Sequence, residues 1–364
     1  MRAFFVTQYG ALAASSRTRV LQYLPFLRQQ GIDADVLTVL PDHAISGSQL
    51  DVRRQPLRKT LYYLWAAWRT WSCGLRTWWH GRSRDLLFVQ KVIFPPPIRW
   101  LLRHMSTPVV YDFDDAIFTT EVRSGHWLAR VKESRNASGV PAMLGLADLA
   151  VVENEYTAEF ARQHCDVLQI TGPIDTTPYA EIRSRVADTD PFTVGWIGSG
   201  STVAYLELIA PVLQRLAREL NLRLLVVGAQ FELHGVDVEC KPWALEQEAT
   251  DLARCHVGVM PVPDDPWTRG KGGYKLLQYM ACGLPVVTHP IGINTVIVEE
   301  GLTGYLAPDE DTWVSRLTQL GEDPDLRRQM GERGKARIEE SYALHTQQPR
   351  LLAALQGLMD LAGP

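Results

Sequence analysis

Phe192-Thr-Val-Gly-Trp-Ile-Gly-Ser-Gly-Ser-Thr202 is the stretch from which the architecture is read. Five of its first six residues are β-branched or aromatic and make a buried strand, and the Gly/Ser run behind them is turn chemistry. A helix is then expected to about Leu220, with Leu206, Ile209, Leu213, Leu216 and Leu220 on one face and a bend at Pro211. Further strands follow at 222–227, 256–260 and 286–288. A helix at 273–281 is closed by Gly283 and Pro285, and the tail 324–361 is mostly helical. Upstream, apolar runs at 3–6, 34–39, 86–89, 109–111 and 149–152 read as strands, with helices at 17–30 and 158–164 among them. Strands that alternate with helices imply a parallel sheet covered on both faces. The alternation lapses into Pro, Gly, Asp and Thr around 171–191. The expectation is therefore α/β: two Rossmann-like doubly wound parallel-sheet domains facing a cleft. The first spans 1–172, a linker 173–190, the second 191–340, and a closing helical segment 341–364.

Composition agrees with this and excludes other classes. The 364 residues suffice for two domains, and 46% hydrophobic against 21% charged residues is globular, not disordered, usage. A net charge of -4 carries no global nucleic-acid signal. Cys73, Cys165, Cys240, Cys255 and Cys282 are odd in number and lack metal-ligand spacing, which fits a reducing cytosol and no metal site. The opening Met-Arg-Ala-Phe-Phe-Val reads as a first strand and not a signal peptide, and no apolar run is long enough to span a membrane.

Two segments of the second domain point to an anionic ligand. Gly198 and Gly200 allow close backbone approach, and Ser201 or Thr202 can cap the helix behind them, whose free N–H groups favour a phosphate. A plain strand-to-helix turn remains the alternative. Asp264-Asp-Pro-Trp-Thr-Arg-Gly-Lys-Gly-Gly-Tyr-Lys-Leu-Leu-Gln-Tyr-Met-Ala-Cys-Gly-Leu-Pro285 is more informative. It sets Arg269, Lys271 and Lys275 around a glycine-rich loop that opens a helix, which suits neutralising a diphosphate leaving group without a metal. Gln278 lies about one turn beyond Lys275.

The run 275–287, with His289-Pro-Ile-Gly-Ile-Asn294 and Gly301-Leu-Thr-Gly-Tyr-Leu306 behind it, resembles glycosyltransferase family 4, retaining enzymes of the GT-B fold. In the first half the resemblance is looser and rests on Ser16-Arg-Thr-Arg19, 111–116, Glu153-Asn154 and Gly172-Pro-Ile-Asp175. It implies a nucleotide-diphosphate sugar, UDP- or GDP-linked, as donor substrate with no cofactor. Gly198, Ser199, Ser201 and Thr202 would meet the diphosphate, Arg269, Lys271 and Lys275 neutralise it, and Gln278 face the ribose. Lys241-Pro-Trp243 falls at the base pocket, and the closing helix would cross back to the first domain. The family often has two glutamates eight residues apart where this chain has Gly270 and Gln278.

In the first domain, Asp112-Phe-Asp-Asp115 follows a strand, at the edge where open α/β sheets bind ligands. Asp112, Asp114 or Asp115 is read as positioning or deprotonating an acceptor hydroxyl, with Arg17 and Arg19 as carboxylate partners or phosphate contacts. Between 52 and 105 stand eleven Lys/Arg, a single acidic residue (Asp85) and six tryptophans. Leu61, Trp65, Trp68, Trp71, Leu75, Trp78 and Trp79 recur at helical spacing, with Arg69, Arg76 and Arg82 interleaved. This reads either as a helix packed in the core with a solvated basic face or as one lying on an anionic bilayer surface. The functional expectation is transfer of a sugar to an acceptor hydroxyl of a glycan or lipid-linked acceptor, at the cytoplasmic membrane face and without nucleic acid. The alternatives are an epimerase or phosphorylase on the same scaffold, or a non-catalytic nucleotide-sugar-binding protein.

Overall fold

The computed structural model describes residues 1–44, 55–119, 127–180, 182 and 191–361. The chain forms two compact units, Met1–Pro173 with Gln347–Pro364, and Ile174–Thr346. Half of the expected linker 173–190, namely 181 and 183–190, lies outside the described residues.

The first unit has a six-stranded parallel sheet in the order β2-β1-β3-β4-β5-β6. Its strands are β1 (Arg2–Tyr9), β2 (Asp33–Leu40), β3 (Leu86–Gln90), β4 (Val109–Asp112), β5 (Leu149–Val152) and β6 (Asp166–Gln169). Strands β3, β4 and β5 are buried along their whole length, as their unbroken apolar runs require. The strand order reverses between β1 and β3, so loops leaving those two strands flank a crevice. The helix expected at 17–30 is interrupted: Ala14–Arg19 and Leu24–Gln29 are separate α-helices joined by a 3₁₀ turn at Leu21–Tyr23, with Pro25 opening the second. The helix expected at 158–164 begins earlier, at Glu155, because Asn154 and Thr157 form a reciprocal cap.

The second unit has a parallel sheet in the order β12-β11-β10-β7-β8-β9. Its strands are β7 (Phe192–Ile197), β8 (Leu222–Val227), β9 (Asp237–Lys241), β10 (Val257–Met260), β11 (Val286–Thr288) and β12 (Gly304–Leu306). Its switch point lies between β7 and β10, so the Gly198–Thr202 turn and the loop after Met260 leave the sheet side by side. The expected bent helix to Leu220 is two elements. A 3₁₀ helix covers Val203–Ile209, and Pro211 stands in the first turn of the α-helix Ala210–Glu219, where its missing N–H costs nothing.

The ladder between β7 and β10 pairs only Val194 with Val257 and Gly195 with Gly258. Beyond it the Tyr279 hydroxyl accepts from the Ile197 N–H (2.9 Å) and donates to the Val259 carbonyl (3.2 Å). Gly258 makes this possible, since a Cβ there would lie 2.2 Å from the Tyr279 ring. The helix Tyr274–Ala281 is thereby anchored over the point where the strands part.

Candidate active site

The residues of the two expected phosphate-binding segments meet at the β7/β10 switch point. The Lys275 ammonium lies 3.5 Å from the Thr202 hydroxyl and 4.0 Å above the centre of the Trp196 ring. Gly198 passes directly beneath it, because a Cβ at that position would come within 2.6 Å of the Lys275 nitrogen. Among the described residues, Lys275 has no carboxylate partner. Burial, reinforced by the charge of Lys271, holds its pKa well below that of an ordinary lysine.

The turn supplies donors of its own. The N–H groups of Thr202 and Val203 both bond to the Ser199 carbonyl, and the N–H of Gly198 to Val227. Those of Ser199, Gly200 and Ser201 donate to no hydrogen bond among the described residues. The Ser199 and Ser201 hydroxyls lie 2.7 Å apart. The helix behind the turn is 3₁₀ with no side-chain cap, so the donors offered here are the turn amides and Lys275 rather than an α-helix dipole.

The other second-unit residues are distributed around this pair. The Lys271 ammonium sits 5.7 Å over the Trp267 ring. Arg269 is exposed and held by both oxygens of Asp264, at 2.7 and 3.0 Å. The Gln278 side chain is buried and makes no hydrogen bond to the described residues. At the end of β9, Lys241 is ion-paired with the buried Asp251. The Trp243 indole N–H donates to Glu248 (2.6 Å), whose other oxygen accepts from the Tyr179 hydroxyl (2.8 Å). Trp243 is thus fixed in place, half-buried against the core. Tyr179, Glu248 and Tyr279 were missed by sequence reasoning, since nothing local distinguishes them from ordinary core residues.

In the first unit the acidic run divides between two cations. Asp112, fully buried at the end of β4, receives Arg19 through Nε (2.9 Å) and Nη2 (2.5 Å). Arg19 also donates to the Ile170 carbonyl (2.7 Å) and lies 3.5 Å from Glu153. Burial opposes the guanidinium charge, but Asp112 and Glu153 outweigh it and raise its pKa. Burial lifts Asp112 to about 6 and Glu153 to about 8, against the pull of Arg19. Asp114 and Asp115 instead face Lys91, at 2.5 and 3.2 Å. Lys91 has a φ of 61° and bonds through its N–H to the Asp112 carbonyl. Its place at the switch-point end of β3 was the missed signal.

Arg17 and Arg19 therefore separate in role. Arg17 donates to the Ala11 carbonyl at 3.0 Å, whereas Arg19 is inside the fold. Ser16 ties the same helix to the switch point, donating to Gln90 (3.0 Å) and accepting from the Tyr9 N–H (3.1 Å).

Residues 191–323 match the family model described as glycosyl transferases group 1. A curated relative, N-acetyl-alpha-D-glucosaminyl L-malate synthase of Bacillus anthracis, is 36% identical over 72 residues, which is 19% of either chain. Sucrose-phosphate synthase of Thermosynechococcus elongatus superposes with a TM-score of 0.72 at 13% identity, over 99% of this chain and 100% of that one. HepE of Anabaena, in complex with UDP and glucose, does so at 0.65 and 15%, over 98% and 100%. Identities this low speak for the fold alone. The chain has the GT-B fold, and its residues 191–323 resemble glycosyl transferases group 1.

Proposed function

We propose that the protein is a retaining glycosyltransferase of family 4 that moves a sugar from a nucleotide-diphosphate donor to an acceptor hydroxyl. The observation that carries this reading is the Lys275 ammonium, without a carboxylate partner among the described residues, beside the amides of Ser199, Gly200 and Ser201, which donate to none of those residues. As the anomeric bond breaks, negative charge grows on the leaving diphosphate. A fixed ammonium, itself partly desolvated, with exposed N–H donors beside it stabilises that charge. Lys271 adds charge at the mouth of the loop, so the chemistry needs no metal. Arg269, held by Asp264, steers rather than grips.

UDP is the favoured nucleotide, because HepE was solved with it, and GDP is the comparison. The first unit takes the acceptor, with Asp114 and Asp115 rather than Asp112 placed to meet a hydroxyl, since Asp112 is consumed by Arg19. The acceptor class is a glycolipid or growing cell-surface polysaccharide at the cytoplasmic membrane face. A thermal-shift series with UDP- and GDP-sugars tests donor binding: a ligand bound only by the folded state raises the midpoint. No shift with any nucleotide sugar sinks the proposal.

A second reading rests on Gly270 and Gln278, which lack the carboxylates common in the family. It makes the chain a donor-binding protein without turnover. Slow donor hydrolysis in the absence of acceptor excludes it.

A further inference from the structure

The tryptophan-rich segment is the helix Pro56–Gly81, and its outward side is apolar. Leu57, Leu61, Leu64, Trp68, Trp71, Leu75 and Trp79 follow one another in steps of three or four. All are exposed, from 44% at Trp71 to 73% at Leu57. Steps of that size keep side chains on one narrow stripe of a helix, here about 33 Å long. The opposite side does the packing. Cys73 and Thr77 are buried, and Gly74 lies against Ile98 and Phe94. Arg69 points inward, donating to the Thr38 and Val39 carbonyls at 3.0 Å each, so it is a strap to β2 and not part of the outer face. The helix therefore packs through small residues on one side and leaves its leucine and tryptophan stripe outside.

We propose that this stripe is the surface by which the protein lies on an anionic lipid bilayer. Isolated exposed apolar residues are ordinary, but seven in register form a continuous patch of the kind that marks an interaction site. The charge around it selects the partner. The helix Pro56–Gly81 carries basic residues and no acidic one. Arg58, Arg76 and Arg82 are exposed, and Arg82 stacks 3.9 Å over the Trp79 ring. Indole rings and guanidinium groups side by side suit the headgroup boundary, where an apolar ring is buried and its polar edge stays wet. A single straight stripe on a convex helix fits a plane better than a groove. Among the described residues no helix is long and apolar enough to cross a membrane, so the helix lies on the surface.

This inference goes beyond sugar transfer and stands without it, since vesicle binding needs neither donor nor acceptor. The test is sedimentation of the full chain with phosphatidylglycerol/phosphatidylcholine vesicles, and with phosphatidylcholine alone, at low and high salt. The expected result is binding to the anionic vesicles that weakens with salt. Each of Arg58→Gln and Arg76→Gln should weaken it by about five-fold. Trp68→Ala/Trp71→Ala/Trp79→Ala should weaken it by roughly ten-fold or more per tryptophan. Alanine suits an exposed helix position, so that variant should keep its melting temperature and its donor-induced shift. A wild type that stays in the supernatant with anionic vesicles overturns the proposal, as does a triple variant that binds as the wild type. A lipid-free dimer that the triple variant abolishes, with no vesicle binding, would assign the stripe to a second copy of the chain instead.

Discussion

Replacing Lys275 by Met removes the ammonium while keeping an unbranched side chain over Trp196. Its effects on stability and on donor binding should have opposite signs. In the free protein the ammonium is partly buried with no carboxylate partner among the described residues, and its depressed pKa means that folding works against its charge. The native state binds this proton less tightly than the unfolded chain. Its cost is therefore fully present below the folded pKa and is relieved as pH rises through it toward the unfolded value of 10.5. At neutral pH, Lys275→Met should leave the ligand-free melting temperature unchanged or raised. Two unit charges about 4 Å apart at an effective dielectric near 20 interact by about 4 kcal/mol. Loss of one fixed donor to a developing oxyanion costs about 2.7–4 kcal/mol, a hundred- to a thousand-fold in turnover. The variant should thus lose most of the nucleotide-sugar thermal shift and fall by that factor in single-turnover transfer. Wild-type donor affinity should also weaken with rising pH well before an ordinary lysine titrates. A variant that melts lower and still shows the full donor shift would refute the reasoning, because Lys275 would then be a structural residue.

Three further outcomes follow from named contacts. Tyr279→Phe leaves the buried Ile197 N–H without its acceptor, at a cost of about 1–3 kcal/mol in denaturant unfolding, with weaker donor binding as the β7/β10 crevice loosens. Arg19→Met strands the buried Asp112 carboxylate and should cost about 3–5 kcal/mol, most of which Arg19→Met/Asp112→Leu restores; equal losses in both variants would show that the pair does not couple. Glu153 is held protonated to about 8 against 4.5 unfolded, so its contribution is present at low pH and is lost as pH rises through that window. Glu153→Gln should gain on the wild type in melting temperature between those limits, and a constant difference across pH would contradict the assignment.

Central strands were legible because burial on both faces writes an unbroken apolar run. Thus β3, β5, β7 and β8 stand where those runs predict them. The short strands β6, β9 and β12 went unread. Each lies at a sheet edge, where one side is open and polar residues such as Asp166, Asp237 and Lys241 are tolerated. The glycine turn and the basic loop were each visible, but not their meeting. Likewise the run Asp112–Asp115 was visible as a cluster of acids, while its division between Arg19 and Lys91 was not.

By itself, then, the amino-acid order determined the α/β class, the two tandem units' strand-and-helix rhythm, and the chemistry available to the loops, because these depend on periodicity and residue type over a few neighbours. Only the tertiary structure decided which charges are spent and which remain. Lys275 and Thr202 are 73 positions apart and Arg19 and Asp112 are 93. Whether an ammonium finds a carboxylate depends on strand order, and strand order is set by packing that no local window contains. The same holds for the helix Pro56–Gly81. Its sequence marks an apolar stripe, and only the packing of Cys73, Gly74 and Thr77 beneath shows that the stripe faces outward.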